Sequence, residues 1–196
     1  FFADRKDGEN LIEGLKQKGF EVDTTSLARK AGPINNKYAY LLGRDYMPKM
    51  ENGRGDFLPK ATNLALDYLS QDPKGFFLMV EGSQIDWGGH ANDANYIIEE
   101  VKDFDKVIGE ALDFAEKDGN TLVVVTADHE TGGFALSSAK VRKQDDYRGL
   151  APTFSTGGHT ATLIPVFAYG PGSERFRGIY QNNDIFGKML AGETLK

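Results

Sequence analysis

Hydrophobic positions along the chain follow two alternating patterns, one with a helical period and one of short unbroken runs. Leu11, Ile12 and Leu15 share one side of a 3.6-residue spiral, which predicts a helix over residues 7–18 that Gly19 ends. Phe20 to Val22 predicts a short strand. Residues 31–57 carry Gly, Pro, Asn and Asp at close intervals and read mostly as loop, with Tyr40-Leu41-Leu42-Gly43 as one strand candidate. Pro59 starts a second predicted helix, packed through Leu64, Ala65, Tyr68 and Leu69, that stops before Pro73. Phe76-Phe77-Leu78-Met79-Val80, bounded by Gly75 and Gly82, reads as a strand buried on both faces. The clearest helix covers residues 93–117, where Ile97, Val101, Phe104, Ile108, Ala111 and Ala115 recur every three or four positions before Gly119-Asn120. Thr121 to Thr126 predicts a second buried strand, Ser137 to Gly157 a polar loop, and Thr162 to Tyr169 a third strand ending at Gly170-Pro171-Gly172.

Strands alternating with helices of these lengths predict an α/β fold, a mostly parallel sheet with helices on both faces. The 196 residues, 40% apolar and 27% charged, suit one globular domain or one incomplete domain. The longest apolar stretches, Leu122 to Val125 and Leu163 to Ala168, are far shorter than the roughly 20 residues of a membrane-spanning helix. A net charge of -6 argues against nucleic acid as a partner, because a phosphate backbone is gripped by clustered Lys and Arg. With no cysteine, neither a disulfide framework nor a thiolate metal site can form, so a bound metal must be held by His, Asp and Glu. The opening Phe1-Phe2-Ala3-Asp4-Arg5-Lys6 has neither an initiator Met nor the basic-then-apolar order of a signal peptide, and reads as the interior of a longer precursor.

The candidate chemistry gathers around the three histidines, His90, His129 and His159. Each lies just beyond a predicted strand or beside paired glycines, and in open α/β sheets ligands collect outside the carboxyl ends of strands. In Glu81-Gly82-Ser83-Gln84-Ile85-Asp86-Trp87-Gly88-Gly89-His90, a helical turn or tight loop would point both Asp86 and His90 at one ion, with Glu81 at the strand end. Asp128-His129-Glu130-Thr131-Gly132-Gly133 follows the next strand, and Gly157-Gly158-His159-Thr160 precedes the last. Two carboxylates, three imidazoles and a further Glu are a donor set for a pair of zinc ions. Two metals about 4 Å apart clamp the attacking and leaving oxygens of a phosphoryl transfer. The glycine pairs allow backbone to come close to a ligand or take positive φ. The plainer readings stand beside these: a single His is usually a surface or core residue, Glu81 a polar strand end, and Asp128 a cap. Asp93 reads as the N-cap of the long helix rather than a ligand. Trp87 either packs or walls the substrate site, and Glu130 faces solvent or supports the ligands from behind.

The segments Met79 to His90 and Thr126 to Gly133 resemble two signature segments of alkaline phosphatases, and Gly158-His159-Thr160 resembles a third, in the same order and at matching intervals. Val166 to Gly172 is similar to the family's last core strand, so the resemblance covers essentially the whole chain, residues 1–196, as the C-terminal part of a single α/β domain of that kind. It implies that Asp86, His90 and His159 hold a first zinc, that Asp128 and His129 hold a second, and that Glu81 is a ligand of one magnesium. It further implies hydrolysis of phosphate monoesters to inorganic phosphate through a phosphoseryl intermediate, a homodimer, and a periplasmic or extracellular location. The family's nucleophilic Ser lies in an upstream Asp-Ser-Ala type segment, alongside a phosphate-gripping Arg, an Asp shared between the second zinc and magnesium, and another magnesium ligand. None of these is recognisable here, and Asp23-Thr24-Thr25-Ser26 is the only superficial substitute. No catalytic nucleophile is therefore assigned, and the chain alone is expected to be inactive. Trp87 stands where some members carry a Lys or His that contacts phosphate through water. A phosphodiesterase, sulfatase or phosphoglycerate mutase of the same superfamily is the competing reading, and a non-catalytic metal-binding module is a third. The full Glu81-Gly82-Ser83-Gln84-Ile85-Asp86 run favours the monoesterase.

Overall fold

A computed structural model describes residues 2–3, 5–28, 30–139 and 149–191. The chain divides into two compact units, residues 1–81 and 82–196.

In the first unit, helix α1 (Leu11–Gln17) begins at Asn10, whose side-chain oxygen accepts from the backbone N–H of Ile12 and Glu13. Gly19, at φ 81°, reverses the chain directly into β1 (Phe20–Asp23). β1 pairs in parallel with β2 (Lys37–Tyr40), from Phe20 opposite Lys37 to Asp23 opposite Tyr40. β2 ends where the expected strand at 40–43 would begin. The cause is a tight turn after it: a Cβ on Gly43 would stand 2.6 Å from the Tyr46 carbonyl oxygen. Helix α2 (Phe57–Leu69) starts two residues before Pro59, which fits in the first turn because its missing N–H has no helical partner to lose. Thr62 and Leu66 lie on its buried face, and the Tyr68 hydroxyl reaches the carbonyls of Ile34, at 2.9 Å, and Asn36.

Residues 76–80 do not form the strand buried on both faces that their composition suggests. Among the described residues they join no ladder, and Phe77 and Met79 are 71% and 74% exposed while their neighbours are half-buried. An extended run buries alternate side chains on one face only, and its second face is covered only where another layer packs on it.

The second unit opens with α3 (Gln84–His90) and α4 (Ala94–Asp118). Asp93 caps α4 by accepting from Tyr96 N–H, and Gly119, at φ 72°, ends it with an N–H to Ala115 O, as expected. The buried face of α4 carries Tyr96, Ile97, Val107 and Ala115, with Glu100 and Asp103 buried among them. Val101, counted on the apolar stripe, is 44% exposed. Three antiparallel pairs complete the unit: β3 (Val123–Val125) with β8 (Phe167–Tyr169), β4 (Glu130–Thr131) with β7 (His159–Thr160), and β5 (Ala135–Ser138) with β6 (Leu150–Thr153). The expected polar loop thus contains the greater part of a β5–β6 hairpin, and its residues 140–148 lie outside the described residues. The chain is α/β, but its described strands pair two by two, one pair parallel and three antiparallel, and do not merge into the expected mostly parallel sheet.

Two glycines set the position of α3. A Cβ on Gly88 would stand 2.8 Å from Ile97 Cγ1, and one on Gly89 would stand 2.7 Å from the Thr131 carbonyl oxygen. Helix α3 is therefore pressed between α4 on one side and β4 on the other. The buried Tyr96 hydroxyl, donating to Gln84 Oε1 at 2.7 Å, fastens α4 to the first turn of α3.

Candidate metal centre

The close contact of Gly89 with Thr131 brings the end of α3 against the strand pair that carries His159. Asp86 and His90, one helical turn apart, present Asp86 Oδ1 and His90 Nε2 at 3.5 Å. His159, at the start of β7, sets its Nε2 at 3.6 Å from the same Asp86 oxygen and 3.2 Å from His90 Nε2. His129, between β3 and β4, stacks on the His159 ring with centroids 3.6 Å apart and planes 18° apart. One donor atom from each of Asp86, His129 and His159 lies within 4.8 Å of the others. Asp128 is 83% exposed at its side chain, and its Oδ2 stands 3.2 Å from His129 Nε2.

His90 Nδ1 lies 2.8 Å from the Gly157 carbonyl, which only accepts, so Nδ1 carries a hydrogen and Nε2 points at Asp86 and His159. The Thr131 hydroxyl donates its single hydrogen to Asp86 Oδ1 at 2.5 Å, so its oxygen accepts from His129 Nδ1–H at 3.2 Å. His129 Nε2 is then a lone pair facing the Asp128 carboxylate. With neutral imidazoles, acceptors would face acceptors in two places, His90 against Asp86 and His129 against Asp128. Protons or divalent cations between them relieve that repulsion, and an all-nitrogen-and-oxygen donor set suits zinc and magnesium. The residues present fit a metal centre.

Of the residues singled out by sequence, Asp86, His90, His129 and His159 come together, and Asp128 reaches them through His129. Glu81 is the last residue of the first unit and is exposed. Trp87, 39% exposed, follows Asp86 on α3. The glycine pairs differ in what they do. Gly88 and Gly89 permit close packing, and Gly132 and Gly133 adopt positive φ of 93° and 58°. Gly157 and Gly158 do neither, with no atom nearer than 3.7 Å to an added Cβ and no positive φ. Sequence reading passes over Thr131, the hydroxyl that touches both Asp86 and His129. The available signal is its place two residues after His129, on the same side of an extended chain.

Glu130 points away from the imidazoles. Its carboxylate accepts from Gly133 N–H at 3.1 Å, Phe134 N–H at 2.9 Å and the Thr160 hydroxyl. Burial alone would push this carboxyl up, but the hydrogen bonds from Thr160, Phe134 and Gly133 outweigh it and hold it below the ordinary carboxylate range.

Comparison with known proteins identifies the family. The sequence description of the family Alkaline phosphatase matches residues 3–150. Alkaline phosphatase 3 of Bacillus subtilis (strain 168) is 34% identical over 254 residues, covering 93% of this chain and 54% of its own length. Alkaline phosphatase of Escherichia coli (strain K12) is 36% identical over 162 residues, covering 73% of this chain and 34% of its own. A solved TAB5 alkaline phosphatase variant with Mg bound in its M3 site superimposes with a TM-score of 0.90 at 55% identity, over 97% of this chain and 57% of that one. The chain spans about half the length of the Bacillus relatives it matches. It belongs to the alkaline phosphatase family.

Proposed function

We propose that this chain supplies the larger part of the metal-ligand set of a phosphomonoesterase, which converts phosphate monoesters to inorganic phosphate. The observation that carries the reading is the meeting of Asp86, His129 and His159, from three separate segments, with donor atoms within 4.8 Å. In this reading Asp86, His90 and His159 hold one zinc, Asp128 and His129 a second, and Glu81 a magnesium. The Mg held in the M3 site of the TAB5 variant supports a place for magnesium in this reading. Bound cations supply Lewis-acid charge that neutralises the transferred phosphoryl group and activates a hydroxyl nucleophile.

The chain's own residues do the positioning. Gly157 O orients the His90 ring, and Thr131 orients both Asp86 and His129. Trp87 borders the site beside Asp86 and excludes water from one side of a bound ester. The nucleophile is a serine outside these 196 residues, which passes through a phosphoseryl intermediate. Asp23 to Ser26 does not replace it: the Asp23 carboxylate is engaged by Thr25 N–H, the Thr25 hydroxyl and Ser26 N–H in a local turn. The two units belong to one α/β domain whose complete sheet is mostly parallel with helices on both faces, in a homodimeric periplasmic or extracellular enzyme. A second reading, a metal-binding module without activity, draws support from the same lack of an Asp-Ser-Ala segment.

The test is zinc uptake by the pure chain with p-nitrophenyl phosphate as substrate. Zinc binding without turnover is expected, and activity restored by the family's nucleophile-bearing half separates the enzyme from the module. Turnover by the chain alone, abolished by His129→Ala, overturns the placement of the nucleophile.

A further inference from the structure

His129 and His159 reach the cluster on two short strands, and a two-residue ladder is a weak device for holding ring nitrogens in register. β4 and β7 share only the pairs Glu130 with Thr160 and Thr131 with His159. The backbone leaving β4 turns at once through Gly132 and Gly133, both in the left-handed region, where glycine restrains the chain least. Glu130 bridges all of these parts. One oxygen takes Phe134 N–H, and the other takes Gly133 N–H and the Thr160 hydroxyl. The carboxylate therefore fixes the turn after His129 and ties it to the residue beside His159. With three donors converging on it from the far side of the strand, its lone pairs are spent away from the imidazoles.

We infer that Glu130 is a positioning residue, not a ligand, which holds His129 and His159 at the spacing the cation cluster requires. The inference rests on the metal-centre reading above. Thr160 is its partner: the hydroxyl marks which strand the carboxylate grips. Partners behind metal ligands typically change metal affinity by about 10- to 100-fold when removed.

The experiment titrates the 196-residue chain with Co2+, following the d–d absorption band, with affinity from chelator competition and the thermal midpoint of each metal-free variant measured alongside. Glu130→Ala is expected to weaken Co2+ binding about 10-fold or more and to alter the band. Glu130→Gln, which keeps an acceptor oxygen in place, should recover part of the loss, and Thr160→Val should show a smaller loss of the same kind. Thr160→Val leaves both N–H bonds to Glu130 intact, so it carries the test if Glu130→Ala does not fold. Variants that melt lower yet bind Co2+ with unchanged affinity and spectrum reduce Glu130 to packing and overturn the inference alone. A wild-type chain that shows no Co2+ band overturns the metal-centre reading, and this inference with it.

Discussion

His90 and His159, 69 residues apart in sequence, face one another with their Nε2 atoms 3.2 Å apart. His90 spends its Nδ1 proton on Gly157, so its Nε2 can accept, and both rings also approach the Asp86 carboxylate, which leaves nitrogen and oxygen donors converging on one gap. A cation in that gap stabilises the fold by binding the folded chain alone. With free zinc about 1,000-fold above its dissociation constant, the expected gain is about 4 kcal/mol, seen as a raised thermal midpoint that EDTA reverses. His90→Ala and His159→Ala should each remove most of it. A midpoint indifferent to zinc and EDTA would count against the site.

Gly89 offers a test that involves no metal. Its backbone in α3 is helical, so an alanine costs no torsional strain, and the whole effect comes from space. An added Cβ would meet Thr131 O at 2.7 Å and Thr131 Cβ at 2.8 Å, backbone and branched atoms that cannot swing aside. Gly89→Ala is expected to destabilise the chain by about 1–3 kcal/mol in urea denaturation, the usual range for overpacking. Gly109→Ala, on the open face of α4 with no atom within 4 Å, should be neutral or slightly stabilising. Equal effects from the two would refute the packing argument.

These two glycines also show what sequence alone conveys. α4 was legible from end to end, because its stripe, its Asp93 cap and its Gly119 stop are all local signals. So were the residues of the cluster, since a shortage of histidines and an absence of cysteines leave few ways to hold a metal. The pairing of strands was not legible. Residues 76–80 and 123–125 are equally apolar, yet only the second finds a ladder among the described residues, because pairing depends on partners far along the chain. The tasks of Thr131 and Glu130 were hidden for a related reason: a hydroxyl or carboxylate reveals its work only when its hydrogen-bond partners are known.

Asp23 gives a pH-dependent prediction in the first unit. Thr25 N–H, the Thr25 hydroxyl and Ser26 N–H all donate to its carboxylate and hold it below the ordinary value. Its contribution to stability is complete above the unfolded carboxylate value of about 3.9, and is lost as pH falls through the lower folded value. An NMR titration of the Asp23 carboxyl carbon should find a midpoint below about 3.9. Asp23→Asn should flatten the acid limb of the stability curve, and a midpoint at or above the unfolded value would show the turn to be open in solution.

Thr131→Val isolates the hydroxyl that joins two ligands. The substitution keeps shape and branching, which suits a residue in β4 pressed against Gly89, and deletes only the donor to Asp86 and the acceptor for His129. A hydrogen bond to a charged group contributes roughly 1.5–3 kcal/mol, but Asp86 is only half-buried and water can replace part of that, so the thermal midpoint should move little. Metal affinity should fall about tenfold, because Asp86 loses its orientation and the His129 ring is free to place its proton on either nitrogen. Thr131→Ser retains the hydroxyl and should bind nearly as the wild type does. A valine variant that binds zinc as tightly as the threonine would mean that backbone pairing with His159, rather than the hydroxyl, fixes the ligands.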